Sequence, residues 1–178
     1  MKRFFATQTS FSGMKFLVKT TGLLLVVGLL LTSCCKKEQP KEEPHTPSNY
    51  SEITKDDIAA RASQMSSDDI AATYAGGHIL DVGDVLIYKT NGNHYGKMQI
   101  LAIDDSSNYK LTIKAVSYKD DGSVFSETTS LDIRGTWTCD LDAMQEAGPD
   151  DDFQWNRLTT TATKLSPINT AVFAVYHF

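Results

Sequence analysis

The chain has 178 residues, of which 41% are hydrophobic, and its 17 basic and 22 acidic side chains give a net charge of −5. An acidic balance with no stripe of Lys and Arg interleaved with aromatics excludes nucleic acid as a partner, because a polyanion would be repelled. Three cysteines are too few for a disulfide framework, so the fold must rest on a hydrophobic core.

Lys2, Arg3, Lys15 and Lys19 precede an apolar run from Gly22 to Leu31. The run is shorter than the roughly 20 residues of a membrane-spanning helix and suits the core of a signal peptide. Leu31-Thr32-Ser33-Cys34 closes it, and the small side chains at Thr32 and Ser33 leave a peptidase room beside the bond to be cut. This tetrad resembles the lipobox of bacterial lipoprotein precursors. The resemblance implies that residues 1–33 are removed and that Cys34 carries a diacylglycerol thioether and an acyl chain such as palmitate on its freed amine. Because Cys35 rather than aspartate follows, it further implies transfer to the outer membrane of the cell envelope. Two or three acyl chains anchor a protein stably where one does not, so no protein surface need bind lipid. The mature chain would hold 13 basic and 22 acidic residues, a net charge of −9.

Lys36-Lys37-Glu38 is broadly similar to the charge-rich tethers of Bacteroidota envelope lipoproteins, which face the periplasm or the cell surface. Residues 34–50, with Pro40, Pro44 and Pro47 among charges and no apolar periodicity, read as this tether. Residues 51–178 are then one β-rich domain with a helical segment, 54–74, at its start. That segment holds a near repeat, Asp56-Asp57-Ile58-Ala59-Ala60 and Asp68-Asp69-Ile70-Ala71-Ala72, with Thr54 and Ser67 as candidate caps. Carboxylates in a first turn suit the positive end of a helix dipole, so two short helices are expected.

After Gly76-Gly77 the period becomes two. Strands are expected over Asp84 to Thr90, Tyr95 to Ile103 and Tyr109 to Tyr118, with a fourth after Asp120-Asp121-Gly122. Asn91-Gly92-Asn93 and Asp104 to Asn108 supply the other turns of an antiparallel meander. From Ser130 to Asp142, Leu131, Ile133, Trp137, Cys139 and Leu141 alternate with polar residues, and Gly135 interrupts the apolar side. The glycine marks a bend where the strand changes sheet, and Trp137 belongs to the core rather than to a sugar platform. A strand near Phe153 to Thr163, a turn at Ser166-Pro167-Ile168-Asn169 and a terminal strand, Ala171 to Phe178, complete the pattern. The last is apolar on both faces and reads as a central strand. The expected fold is mainly β, an antiparallel β-sandwich or small partly closed barrel built from hairpins and preceded by two short helices.

Chemistry is sparse. There is no Gly-x-Ser-x-Gly elbow, and His45, His78, His94 and His177 lack the spacing of a transition-metal site, so no enzyme is expected. Calcium could be held by oxygens of Asp140, Asp142, Asp150, Asp151 and Asp152, although no EF-hand spacing is present. Cys139 reads as a small buried apolar residue, and a pairing with Cys35 stays open. Trp155, next to the acidic loop, is the candidate for an exposed aromatic contact, with Tyr88, Tyr95 and Tyr118 as alternatives. Alternation through Phe153 and Trp155 argues instead for core packing. The expectation is a lipid-anchored envelope module that binds an unidentified ligand, a glycan or an envelope protein. A carbohydrate-binding module, an accessory to a glycan-processing enzyme and a structural envelope component are the alternatives. Apart from the lipid on Cys34 no cofactor is expected.

Overall fold

Helix-capping side chains set the first elements. The computed structural model describes residues 46–72, 80–104, 109–157 and 162–178; the leader, Cys34, Cys35, His45, His78, Gly76-Gly77 and the turn at 105–108 lie outside the described residues. Asn49 accepts from Ser51 N–H and opens a 3-10 turn, Tyr50–Glu52. Thr54 and Asp57 form a reciprocal capping box on α1 (Lys55–Ala60), with Asp57 accepting from Thr54 N–H at 2.8 Å. The expected first helix is thus present, and it buries Ile58.

The second copy of the same five residues is not a helix. Ile70–Ala71 form β1, paired antiparallel with β9 (Thr163–Pro167). Ser66, which stands where Thr54 stands in the first copy, exchanges both backbone hydrogen bonds with Phe173, each at 2.9 Å. Asp69, in the place of Asp57, pairs with Lys164. Equal local capping signals therefore give different structures because cross-strand partners claim the second copy.

The remaining strands are β2 (Val85–Lys89), β3 (Tyr95–Ile103), β4 (Leu111–Tyr118), β5 (Val124–Ile133), β6 (Thr138–Asp140), β7 (Gln145–Glu146), β8 (Phe153–Arg157) and β10 (Val172–Tyr176). They form two antiparallel five-stranded sheets, ordered β10-β2-β3-β4-β5 and β1-β9-β8-β6-β7. This is the sandwich alternative, with no closed barrel among the described residues, and β2 to β5 are the expected meander. Asn93 (φ 69°) and Gly122 (φ 82°) take the left-handed conformations that its turns require.

Three expectations are corrected. The alternation from Ser130 to Asp142 is two strands: β5 ends at Ile133 in the first sheet and β6 begins at Thr138 in the second, with Gly135 in the bend as anticipated. The stretch from Phe153 to Thr163 is not one strand, since β8 ends at Arg157 and β9 starts at Thr163, with 158–161 outside the described residues. The last strand, β10, is not central but lies at the edge of its sheet. Its two-sided apolarity is explained by faces, because Phe173 enters the main core while Tyr176 joins a second cluster on the opposite side.

The main core lies between the sheets, where Leu86, Tyr88, Met98, Ile100, Leu111 and Ile113 meet Cys139, Phe153, Trp155 and Leu165. On the outer face of the first sheet, Val85, Ile87 and Tyr176 pack against Ile53 and Ile58. The buried Lys97 serves this second layer, its Nζ donating to the carbonyls of Tyr50 and Ile53, both at 2.6 Å. Burial, and then the charge of Lys114, hold its pKa below the ordinary lysine value. Tyr88 needs a glycine opposite it, because a Cβ on Gly96 would stand 2.3 Å from the Tyr88 ring. The Tyr88 hydroxyl lies 3.0 Å from Ser117 Oγ, which donates to Leu141 O and so links the two sheets.

Candidate functional site

The acidic loop expected to offer calcium ligands is occupied by its own backbone. Asp140 Oδ1 accepts from the N–H groups of Asp142 and Ala143 at 2.9 and 2.8 Å, and Asp151 Oδ1 accepts from Gly148 N–H. A Cβ on Gly148 would stand 2.2 Å from Asp140 Cβ, so the loop closes tightly over this carboxylate. Asp150 contributes its own N–H to Asp140 Oδ2 at 3.3 Å. Among the described residues no three His, Cys, Asp or Glu side chains form a group that could hold a metal ion. The aspartates act as acceptors that fasten loops.

Asp152 does this across the sandwich. Its carboxylate accepts from Asn91 N–H at 2.7 Å and from Leu141 N–H at 2.8 Å, joining the β2–β3 turn to the residue that follows β6. Complete burial pushes its pKa up to about 7, against the two N–H donors, and the charges of Asp142 and Asp140 add to the rise.

Asp142 Oδ2 accepts from Thr90 Oγ1 at 3.0 Å and lies 3.1 Å from His94 Nδ1, while the His94 ring stacks on Phe125 at 3.9 Å. A hydrolytic triad would need the hydroxyl on the imidazole nitrogen remote from the carboxylate. Here the Thr90 hydroxyl is spent on the carboxylate itself, so this cluster is no activated nucleophile. Cys139 is a free, fully buried thiol whose pKa burial raises well above the ordinary value, with the charges of Asp152 and Asp140 adding to it. It is the inert apolar residue expected.

Of the two tryptophans, one lies where strand alternation puts it and the other does not. Trp155, the candidate ligand contact, is fully buried at the centre of the core. Trp137, assigned to the core, is 41% exposed, because the bend at Gly135-Thr136 takes it out of the strand alternation. Of the alternatives, Tyr88 is buried, and Tyr95 and Tyr118 pack against the second cluster.

Trp137 lines a groove of about 380 Å³ together with Tyr109, Arg134, Gly135, Thr136 and Arg157. Such a volume is at the small end of ligand clefts, which span roughly 300–1,000 Å³. Arg134 Cζ lies 3.6 Å from the centre of the Trp137 ring, and Arg157 Cζ 3.3 Å from that of Tyr109. The groove therefore holds two guanidinium groups, each placed over an aromatic ring. Glu146 fixes Arg134 from the side, accepting from Nε at 2.9 and 3.0 Å and from Nη2 at 2.5 Å. That pairing holds the Glu146 carboxyl below the usual range.

The groove is built on the core. Trp155 N–H donates to Trp137 O at 2.9 Å, Thr136 N–H donates to Trp155 O at 2.7 Å, and Gln154 Nε2 donates to Thr136 O at 3.0 Å. The Trp155 indole N–H reaches Tyr109 O at 2.7 Å, so one buried residue ties both walls, one through its backbone and the other through its side chain. Thr136 (φ 72°) and Tyr109 (φ 49°) are both non-glycine residues in the left-handed region, a conformation that costs on the order of 1–3 kcal/mol and collects at functional sites. Sequence reasoning passed over Tyr109, Arg134 and Arg157. The one signal available was Gly135, since residues flanking a bend between sheets leave the alternation and face solvent. Among the described residues no helix is long and apolar enough to cross a membrane. Comparison of the chain with protein-family models, with curated proteins and with solved structures gave no match in any of the three.

Proposed function

We propose that this protein is a lipid-anchored binding module of the bacterial cell envelope, and that the Arg134–Trp137 groove is its ligand site. The observation that carries the reading is the groove itself: two arginine-on-aromatic stacks, one of them on the exposed Trp137, held by backbone hydrogen bonds to a buried core. A cleft prepared in this way loses little freedom on binding, which is where affinity is otherwise lost. It also fits a tethered domain that presents a site on a stable scaffold.

The full chain applied to an array of neutral and acidic glycans is expected to retain ligands, and Trp137→Ala to weaken retention about tenfold while thermal stability stays close to wild type. An array that retained nothing, or retention indifferent to that substitution, would overturn the assignment. The anchor has its own measurement. Cells fed a labelled fatty acid should incorporate label into the wild-type chain and none into Cys34→Ser; label persisting in the variant would remove Cys34 as the attachment point.

A further inference from the structure

We infer that the outer face of the first sheet carries a second ligand site, a recess that takes a free amino acid with an apolar side chain. The recess holds about 260 Å³, below the roughly 300–1,000 Å³ of clefts for larger ligands, and is lined by Tyr50 and by residues of β4 and β5. Two side chains of opposite charge, Lys114 and Glu127, are among them. Val116 pairs with Glu127 across the strands, and Lys114 stands two residues before Val116 on the same face, so the two charges are diagonal neighbours. Long side chains can meet at that spacing, yet among the described residues neither one is in an ion pair or a side-chain hydrogen bond. Tyr50 accounts for this. Lys114 Nζ lies 4.3 Å from the centre of the Tyr50 ring, and the buried Lys97 fixes that turn by donating to the carbonyls of Tyr50 and Ile53. An aromatic ring attracts an ammonium without neutralising it and leaves N–H donors unspent. β5 also bulges between the pairs Ile113–Leu131 and Ala115–Thr128, so no residue stands directly across from Lys114.

The two charges decide the ligand class. A ligand with a carboxylate alone would be repelled by Glu127, and one with an amine alone by Lys114. An α-amino acid carries both groups on one carbon, so its carboxylate can accept from Lys114 while its ammonium donates to Glu127, each a charge-assisted hydrogen bond. The Glu127 charge is felt inside the recess, since after burial it adds to the raised pKa of Tyr118, and after burial and Tyr118 to that of Tyr50. Between the charges the lining is apolar: Val116 is buried, and Val124, 45% exposed, stands opposite Tyr118. An apolar side chain laid over Val124 removes both from water.

The test titrates the full chain in detergent, by calorimetry, with leucine, glycine, N-acetyl-leucine, leucinamide and trileucine. Leucine should saturate a single site, and glycine, which lacks the apolar part, should bind about tenfold more weakly. Blocking either charge should cost at least about tenfold. Lys114→Met should bind leucine and leucinamide alike, and Glu127→Gln should bind leucine and N-acetyl-leucine alike, a pattern that general loosening of the fold does not produce. Trp137→Ala should leave leucine affinity unchanged, which keeps this site distinct from the Arg134–Trp137 groove. No saturation by leucine at millimolar concentration would overturn the inference, as would equal affinity for leucine and its blocked forms or loss of leucine binding in Trp137→Ala. Tighter binding of trileucine would overturn the free amino acid as the ligand. Unfolding curves check each variant, and should Lys114→Met fail to fold, Glu127→Gln decides.

Discussion

Trp155→Ala is expected to destabilise the domain by about 3–5 kcal/mol, a large part of the 5–15 kcal/mol typical of a whole domain. The indole is fully buried between the sheets, so truncation opens a cavity that rigid neighbours cannot fill. It also removes the donor to Tyr109 O, leaving one wall of the groove without its tie to the core. Urea unfolding followed by circular dichroism measures the effect, and Trp155→Phe separates its parts. Phenylalanine keeps most of the packing and loses the hydrogen bond, so it should cost less than alanine while still loosening the groove. Any ligand bound at the groove should be lost in Trp155→Ala together with the fold, whereas Trp137→Ala should lose ligand and keep the fold. A stability change below about 1 kcal/mol in Trp155→Ala would contradict its place in the core.

The contrast between the two tryptophans shows where sequence reading reaches its limit. Alternation assigns residues to faces, and it correctly placed Phe153 with Trp155 on a buried one. It says nothing about where a strand leaves its sheet, and one bend at Gly135-Thr136 was enough to put Trp137 in solvent. Turn chemistry was the more legible signal. Asn91-Gly92-Asn93 and Asp120-Asp121-Gly122 bound β3, β4 and β5 because left-handed φ restricts which residues can stand there. The near repeat was legible once and misleading once. Thr54 and Asp57 close a box on their own helix, while Ser66 and Asp69 are claimed by Phe173 and Lys164, about a hundred residues further along the chain.

The candidate site was the least legible part because its residues come from three separate places. Tyr109 precedes β4, Arg134 to Trp137 bridge the two sheets, and Arg157 ends β8. No short motif spans them, and the loops that join them to the core are fixed through backbone atoms, which carry no residue-specific signature. The aspartates were visible as a cluster, but the hydrogen bonds they make were not. A run of acidic residues beside a glycine carries no sign of which N–H groups it will meet, and here Asp140 and Asp151 accept from Ala143 and Gly148 N–H.

Stability is expected to fall as pH rises from about 4 to about 7, and Asp152 is the group responsible. Its folded pKa, about 7, stands above the unfolded value of 3.8, so within that interval the native state holds a proton that the unfolded state has released. The contribution is fully present below the unfolded pKa and is lost as pH climbs through the folded one, roughly 4 kcal/mol across the window. Other carboxylates act in the opposite sense and lower down. Asp69, Asp132 and Glu146 are held below the ordinary range by Lys164, Lys110 and Arg134, and Asp121 by Ser123, so what they contribute is lost only as pH falls through their depressed values. Urea titrations at several pH values, wild type against Asp152→Asn, isolate the effect. Asparagine cannot titrate, so its stability should be nearly flat across the window. It also offers one acceptor where Asn91 and Leu141 present two N–H donors, so below pH 4 it should be the less stable protein by about 1–3 kcal/mol. The two curves should therefore approach each other as pH rises. Parallel curves would mean that both N–H groups hold the carboxylate ionised throughout, and that their hydrogen bonds outweigh burial and the neighbouring charges of Asp142 and Asp140.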